Sequence, residues 1–164
     1  MKDPARVDAV RANNHKRVFE VRLDDGDFDF PFALCEVRPT PDDPVTRVYV
    51  DAETGGLGFI YHLASGAEDG ILGDSVRIHN RDPDLMADLQ LHMISCVAQD
   101  CFKESGLAKR EVMRRLKTSA AQLYRLLDQT NYKKSMKQVV SLIYALGYDV
   151  SFEVKKRDKV PAPK

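Results

Sequence analysis

A chain of 164 residues, 43% hydrophobic and 30% charged with a formal net charge of zero, has the balance of an ordinary globular protein. It holds no apolar run of about 18 residues, so no membrane-spanning helix is expected. The opening MKDPARVDAVRANNHKR lacks an apolar core segment and does not read as a secretory signal, which makes a cytoplasmic location the expectation.

The zero net charge hides an asymmetry. Residues 1–90 carry 10 Lys/Arg against 18 Asp/Glu, a net of −8, and residues 91–164 carry 15 against 7, a net of +8. A basic nucleic-acid module behind an acidic module fits this, as do two solvated surfaces of opposite sign that dock on each other. Cys35, Cys96 and Cys101 are odd in number and lack framework spacing, which points to a reducing compartment and buried, apolar thiols. His92 and Cys96 lie one helical turn apart, but no neighbouring pair completes four ligands, so no metal or other cofactor is expected.

In chain order, residues 1–15 lack a clear period and suggest a loose arm, with a short helix through Val7 to Arg11 as the alternative. Lys16 to Leu23 alternates and predicts a half-buried strand. Asp24-Asp25-Gly26-Asp27 contains the Asp-Gly hairpin signal, and Phe28, Phe30 and Phe32 alternate after it, with Pro31 restricting that strand to an edge or interrupting it. Beyond the proline-rich loop from Arg38 to Pro44, strands are predicted at Val45 to Val50, Phe59 to Ala64 and Ile71 to Ile78. A small antiparallel sheet of this kind needs a cover. The next helix is the expected one, opening at Asp82-Pro83, with a stripe of Leu85, Leu89, Met93, Cys96 and Val97, and stopping at Gly106.

From Leu107 to Asp128 the chain reads as two short helices joined by Lys117-Thr118-Ser119. Val112, Met113 and Leu116 form one apolar face, and Leu123, Leu126 and Leu127 form the other. Ser119 followed by Gln122 is a capping-box pattern that starts the second helix. Between the stripes stand Lys109, Arg110, Arg114, Arg115, Lys117 and Arg125, opposed by Glu111 and Asp128. A helix pair with a cationic outer face is what contact with a phosphate backbone requires. A polar loop with Tyr132, Lys133 and Lys134 follows, then a helix opened by Ser135 with Met136, Val139, Ile143 and Leu146 inward and Gly147 at its end. Tyr148 to Val154 alternates and predicts a strand, paired with the N-terminal sheet or with the same strand of a second subunit. The tail from residue 155 to 164 is basic, proline-bearing and expected to be disordered.

The run LAKREVMRRLKTSAAQLYRLLDQTN resembles the Xre-type helix-turn-helix of Cro and phage repressors, and SMKQVVSLIYALGYDVSFEV is similar to the closing helix and strand of HigA-like antitoxins in that superfamily. The resemblance covers about a third of the chain. It implies a transcription regulator that lays Ser119, Ala120, Ala121, Gln122, Tyr124 and Arg125 toward base edges, with Lys109, Lys117, Lys133 and Lys134 on phosphates of double-stranded DNA. It also implies a homodimer and a toxin-like protein partner, and the acidic charge of the N-terminal domain makes that domain the expected contact for a basic partner. Ala108, Lys117 and Met113 depart from the family's Thr cap, turn Gly and small Ala, and Ala120 and Ala121 leave few side chains for base readout. Lys117 in the turn predicts a left-handed backbone.

The expected architecture is thus α+β: an acidic antiparallel β-sheet domain over residues 1–81, a long connecting helix leading into a helical helix-turn-helix domain over 82–154 with a terminal β-strand, and the tail. The alternative function is a protein-interaction module in which the helix pair only packs or dimerises. Enzyme chemistry is not expected. Asp51, Glu53, Glu68, Asp69 and Asp74 with His62 and His79 can in principle perform acid–base work, but acids beside glycine are ordinary turn residues, and no phosphate loop or nucleophile motif is present.

Overall fold

Alternating side chains drive the first half of the chain into strands. The structure is a computed structural model in which residues 3–156 are described. It is α+β: among the described residues two three-stranded antiparallel sheets precede five α-helices. The first sheet is β1 (Val7–Asn13), β2 (Val18–Leu23) and β3 (Gly26–Pro31) in that order, and the second is β4 (Val45–Val50), β5 (Gly58–Leu63) and β6 (Glu68–Leu72). The chain divides into two compact units between Leu85 and Met86.

In the first unit the two sheets bury a shared aromatic core. Phe19 is fully buried, with its ring centroid 4.7 Å from Phe32, 5.0 Å from Phe59 and 4.9 Å from Tyr61. Tilted rings at these distances gain more than their buried area alone. Tyr61 is buried but donates its hydroxyl to the Val37 carbonyl at 2.5 Å. Burial first of all, then the neighbouring Cys35 and Asp69, holds this phenol protonated.

Two expectations for this unit change. The strand predicted over Ile71 to Ile78 ends at Leu72, and helix α1 (Gly73–His79) takes over. Gly73 starts α1 where a Cβ would lie 2.7 Å from the Ala5 carbonyl oxygen, and the Asp74 carboxylate accepts the Ala5 amide at 2.9 Å. The N-terminal residues expected to be a loose arm or short helix form β1. A bulge at Asp8 lets Val7 and Val10 both meet the core, three residues apart, and this spacing imitates a helix. Among the described residues the core cluster of the sheets contains Val76 of α1, so α1 supplies a cover within this unit.

Arg77 of α1 anchors that cover. Its side chain is 2% exposed and its guanidinium reaches Asp24 at 2.6 Å and Asp25 at 3.1 Å, the two loop residues of the β2–β3 hairpin, as well as the Asp3 carbonyl. The hairpin register, Leu23 opposite Gly26, follows the Asp-Gly signal, and Pro31 closes β3 on an edge strand, where its missing N–H costs no ladder bond.

Helix α2 (Pro83–Glu104) opens as expected, with the Asp82 carboxylate accepting the Leu85 amide at 2.8 Å. Its second half packs on another face than predicted. Met93 and Val97 are 60% and 53% exposed, while Leu91, Ile94, Ala98, Cys101 and Phe102 meet the core of the second unit. The helix carries apolar residues on more than one side, so periodicity left its phase ambiguous. Helices α3 (Lys109–Leu116), α4 (Ala120–Leu127) and α5 (Met136–Ala145) complete that core with Val112, Leu123, Leu126, Val139, Leu142, Ile143 and Leu146. Gly106 after α2 and Gly147 after α5 have φ of +63° and +92°, the left-handed stops that the sequence placed there.

The predicted terminal strand does not form. Tyr148 to Lys156 is irregular: Tyr148 and Val150 pack on the helical core, but Phe152 and Val154 are 68% and 95% exposed. Alternation makes a strand only when a ladder partner is present, and among the described residues none pairs with this segment. Beyond Lys156 the expected disordered tail lies outside the described residues. No helix is long and apolar enough to cross a membrane among the described residues.

Phe19→Ala is expected to destabilise the first unit by about 3–5 kcal/mol, read as a lowered urea midpoint of the far-UV circular dichroism signal. An unchanged midpoint would place the core elsewhere.

Candidate nucleic-acid interface

The α3–α4 pair is built from two eight-residue helices, each too short to persist without packing. Val112 of α3 and Leu123 of α4 are fully buried, and Leu126 nearly so, while Met113, Leu116 and Leu127 are half-buried at the margins. Between them Lys117 takes φ 52° and ψ 46°, the left-handed conformation its place in the turn requires, and the Thr118 amide donates back to the Met113 carbonyl at 3.0 Å. Ser119 caps α4, accepting the Gln122 amide at 3.3 Å. The reciprocal capping box forms at Ser135, where Gln138 also bonds back to the serine amide at 2.8 Å.

Burying Leu123 and Leu126 fixes which side of α4 faces out. Ser119, Ala120, Ala121, Gln122, Tyr124 and Arg125 are all exposed. The cations around this face are partly organised already. Lys109 Nζ donates to the Tyr124 hydroxyl at 2.9 Å and lies 4.7 Å from the ring centroid, joining the first turn of α3 to the outer face of α4. No side chain caps α3, because Ala108 stands at its N-cap. Lys117, Arg125 and Lys133 are exposed, and between α4 and the start of α5 an open hollow of about 630 Å³ is lined by Arg125 and Lys133 and by the acid Asp128, with Gln122, Asn131 and Gln138 among its other walls.

Two of the arginines counted in the sequence are otherwise engaged. Glu111 accepts from Arg114 at 2.7 and 2.9 Å and from Arg115 at 2.8 Å, and these bonds pull its carboxyl down to about 2. Its folded pKa lies below the ordinary 4.5, so the contribution to stability is present above that value and is lost as pH falls through about 2. All three groups are solvent-exposed enough for screening to keep that contribution small.

Lys134 corrects the expectation. It is 7% exposed, and its ammonium donates to the carbonyls of Leu126 at 2.9 Å and Asp128 at 2.5 Å. Burial lowers its pKa, with the Asp128 carboxylate opposing. A buried ammonium bonded to carbonyls braces the end of α4 and does not meet a phosphate. It acts with Asn131, the end of the Leu-Leu-Asp-x-x-Asn run, which donates to the Arg125 carbonyl at 3.2 Å, and with Gln99 of α2, which sequence patterns did not mark and which donates to the Leu127 carbonyl at 2.5 Å. The last carbonyls of a helix have no partner inside it, and here three successive ones receive a side-chain donor from outside.

The acidic loop residues of the first unit serve local structure. Asp51 accepts the Glu53 amide and Asp74 the Ala5 amide, while Glu68 sits 3.1 Å from His62 and His79 packs edge-on to Phe30. Among the described residues no group of three or more His, Cys, Asp or Glu is arranged to hold a metal. Compared with protein-family models, curated proteins and solved structures, the chain gives no match.

Lys117→Gly should stabilise the second unit by about 0.5–1 kcal/mol by relieving the left-handed residue, measured as a raised thermal midpoint. Lys134→Met should instead cost about 1–3 kcal/mol, because two buried carbonyls lose their donor; a neutral result in the urea midpoint would show that water replaces the ammonium freely.

Proposed function

We propose that the chain is a DNA-binding regulator whose α3–α4 pair acts as a helix-turn-helix. Helix α4 enters the major groove with its exposed face, and Lys109, Lys117 and Lys133 neutralise phosphates around it. The observation that carries this reading is the outer face of α4. Its N-cap Ser119 and the outward positions Ala120, Ala121, Gln122, Tyr124 and Arg125 are solvent-exposed, Leu123 and Leu126 are buried, and exposed cations flank it on the turn and on the following loop. The uncapped start of α3 with Lys109 beside it also supports a phosphate there, since helix amides and an ammonium both favour an anion. In this reading the protein acts as a cytoplasmic homodimer. Phe152 and Val154, exposed in an alternating segment without a ladder, suit the same segment of a second copy. The resemblance implies a toxin-like protein partner, and the acidic charge of the first unit suits one that is basic.

A second reading has one observation in its favour. Ala120 and Ala121 present only methyl groups at the start of α4, which suits contact with a protein surface better than base readout. Titration against random duplex DNA at several salt concentrations separates the two. The regulator reading expects binding whose log–log salt slope is steep and falls by about 1 in Lys133→Ala. No binding at low salt would favour the protein-interaction reading.

A further inference from the structure

One polar cluster of the second unit takes no part in the interface. His92 and Cys96 of α2 face the segment that follows α4. His92 Nδ1 lies 3.3 Å from the Gln129 carbonyl oxygen and 3.2 Å from the Tyr132 hydroxyl, and the two rings stack 18° apart. Cys96 Sγ lies 3.6 Å from His92 Nε2 and 3.1 Å from Gln129 Oε1. A backbone carbonyl only accepts, so the Gln129 carbonyl favours the tautomer with the proton on Nδ1, in which the Tyr132 hydroxyl accepts as well and Nε2 is the acceptor beside the thiol. A nucleophile, a base and a group that orients the base are therefore in successive contact, the arrangement that activates a weak nucleophile. The Gln129 amide, whose two ends are interchangeable, can accept from the thiol or donate to the thiolate.

The other two cysteines differ. Cys35 and Cys101 are buried, and burial raises both thiols above their ordinary range. Cys96 is only half-buried. A structural thiol needs neither an oriented imidazole nor an amide beside it, and buried cysteines without such partners are inert.

We propose that Cys96 is a modification site: a hydroperoxide oxidises it to the sulfenic acid with His92 as the base, and the added oxygen releases residues 128–133 from α2. His92 Nε2 takes the thiol proton as sulfur attacks one peroxide oxygen. The S–O bond forms, the O–O bond breaks, and the proton passes to the departing oxygen to give water or an alcohol. Sulfur loses two electrons and the peroxide gains them. The new oxygen occupies the space between Cys96 and Gln129, which are 3.1 Å apart, so the contacts that hold this segment to α2 separate. That movement reaches Lys133 and the end of α4. Its regulatory meaning rests on the DNA-binding reading: oxidation weakens the grip on DNA.

The test treats the full chain with limiting hydrogen peroxide and a sulfenic-acid trap, and maps each cysteine by mass spectrometry. Cys96 is expected to be labelled at least about tenfold faster than Cys35 or Cys101, and His92→Gln, checked for folding by circular dichroism, to lose about tenfold or more. Amide hydrogen exchange of 128–133 should quicken on oxidation in the wild type and stay unchanged in Cys96→Ser. Equal labelling of the three cysteines, labelling indifferent to His92→Gln, or exchange that ignores oxidation each overturns the proposal. Duplex DNA is then titrated with reduced and oxidised protein. Weaker binding by the oxidised form supports the regulatory link and equal binding removes it, whereas no binding by the reduced form overturns the DNA reading alone, leaving labelling and exchange to decide the thiol.

Discussion

A helix of eight residues does not hold its shape in water, and helix α4 is such a helix. What keeps it is the insertion of Leu123 and Leu126 into a core shared with Val112, Val139 and Leu142, with its start capped by Ser119. Its other end is closed from outside, where Asn131, Lys134 and Gln99 each donate to one of the last carbonyls. The exposed face follows from this burial. Once the two leucines point inward, Gln122, Tyr124 and Arg125 have no choice but to point outward.

The same logic explains how charge is divided on the second unit. Some cations stabilise the protein itself: Lys134 is buried against carbonyls, Arg114 and Arg115 share Glu111, and Arg115 also reaches the Ala145 carbonyl. Others stay in solvent at the turn, on α4 and on the loop. Counting basic residues therefore overstates the surface on offer to a polyanion, and the exposed subset is the physically relevant one. Lys109 is intermediate, since its ammonium already rests on Tyr124 and would have to leave the ring or share it to meet a phosphate.

The first unit solves a different problem. A three-stranded sheet leaves its apolar face in water unless another layer covers it. Two such sheets here bury one aromatic cluster around Phe19, and α1 closes the remainder with Val76. Arg77 is the cost of that closure. Its charge is removed from water and offset by the two hairpin aspartates, while its Nε atom is left without a partner. An acidic hairpin loop thus serves packing as well as surface charge.

Local signals were enough to place most elements. Period-two alternation marked β2, β4 and β5, the Asp-Gly pair marked the β2–β3 hairpin, and Ser119, Ser135, Gly106 and Gly147 marked helix ends, because each depends on a residue's own backbone preference or on a neighbour a few positions away. Helical spacing marked Leu123 and Leu126 as the inward side of α4, while the outward positions from Ser119 to Arg125 came from the family resemblance. Tertiary structure decided the rest. The bulge at Asp8 that makes β1 a strand requires its partner β2, and the choice of Ala98 over Val97 as the packed side of α2 requires the other helices. Whether Lys134 serves solvent or a buried carbonyl, whether Cys96 has a histidine and a glutamine beside it, and whether Tyr148 to Val154 finds a ladder are likewise questions of which distant groups arrive nearby. A side chain's chemistry is written in the sequence, but its desolvation and its partners exist only after the chain has folded.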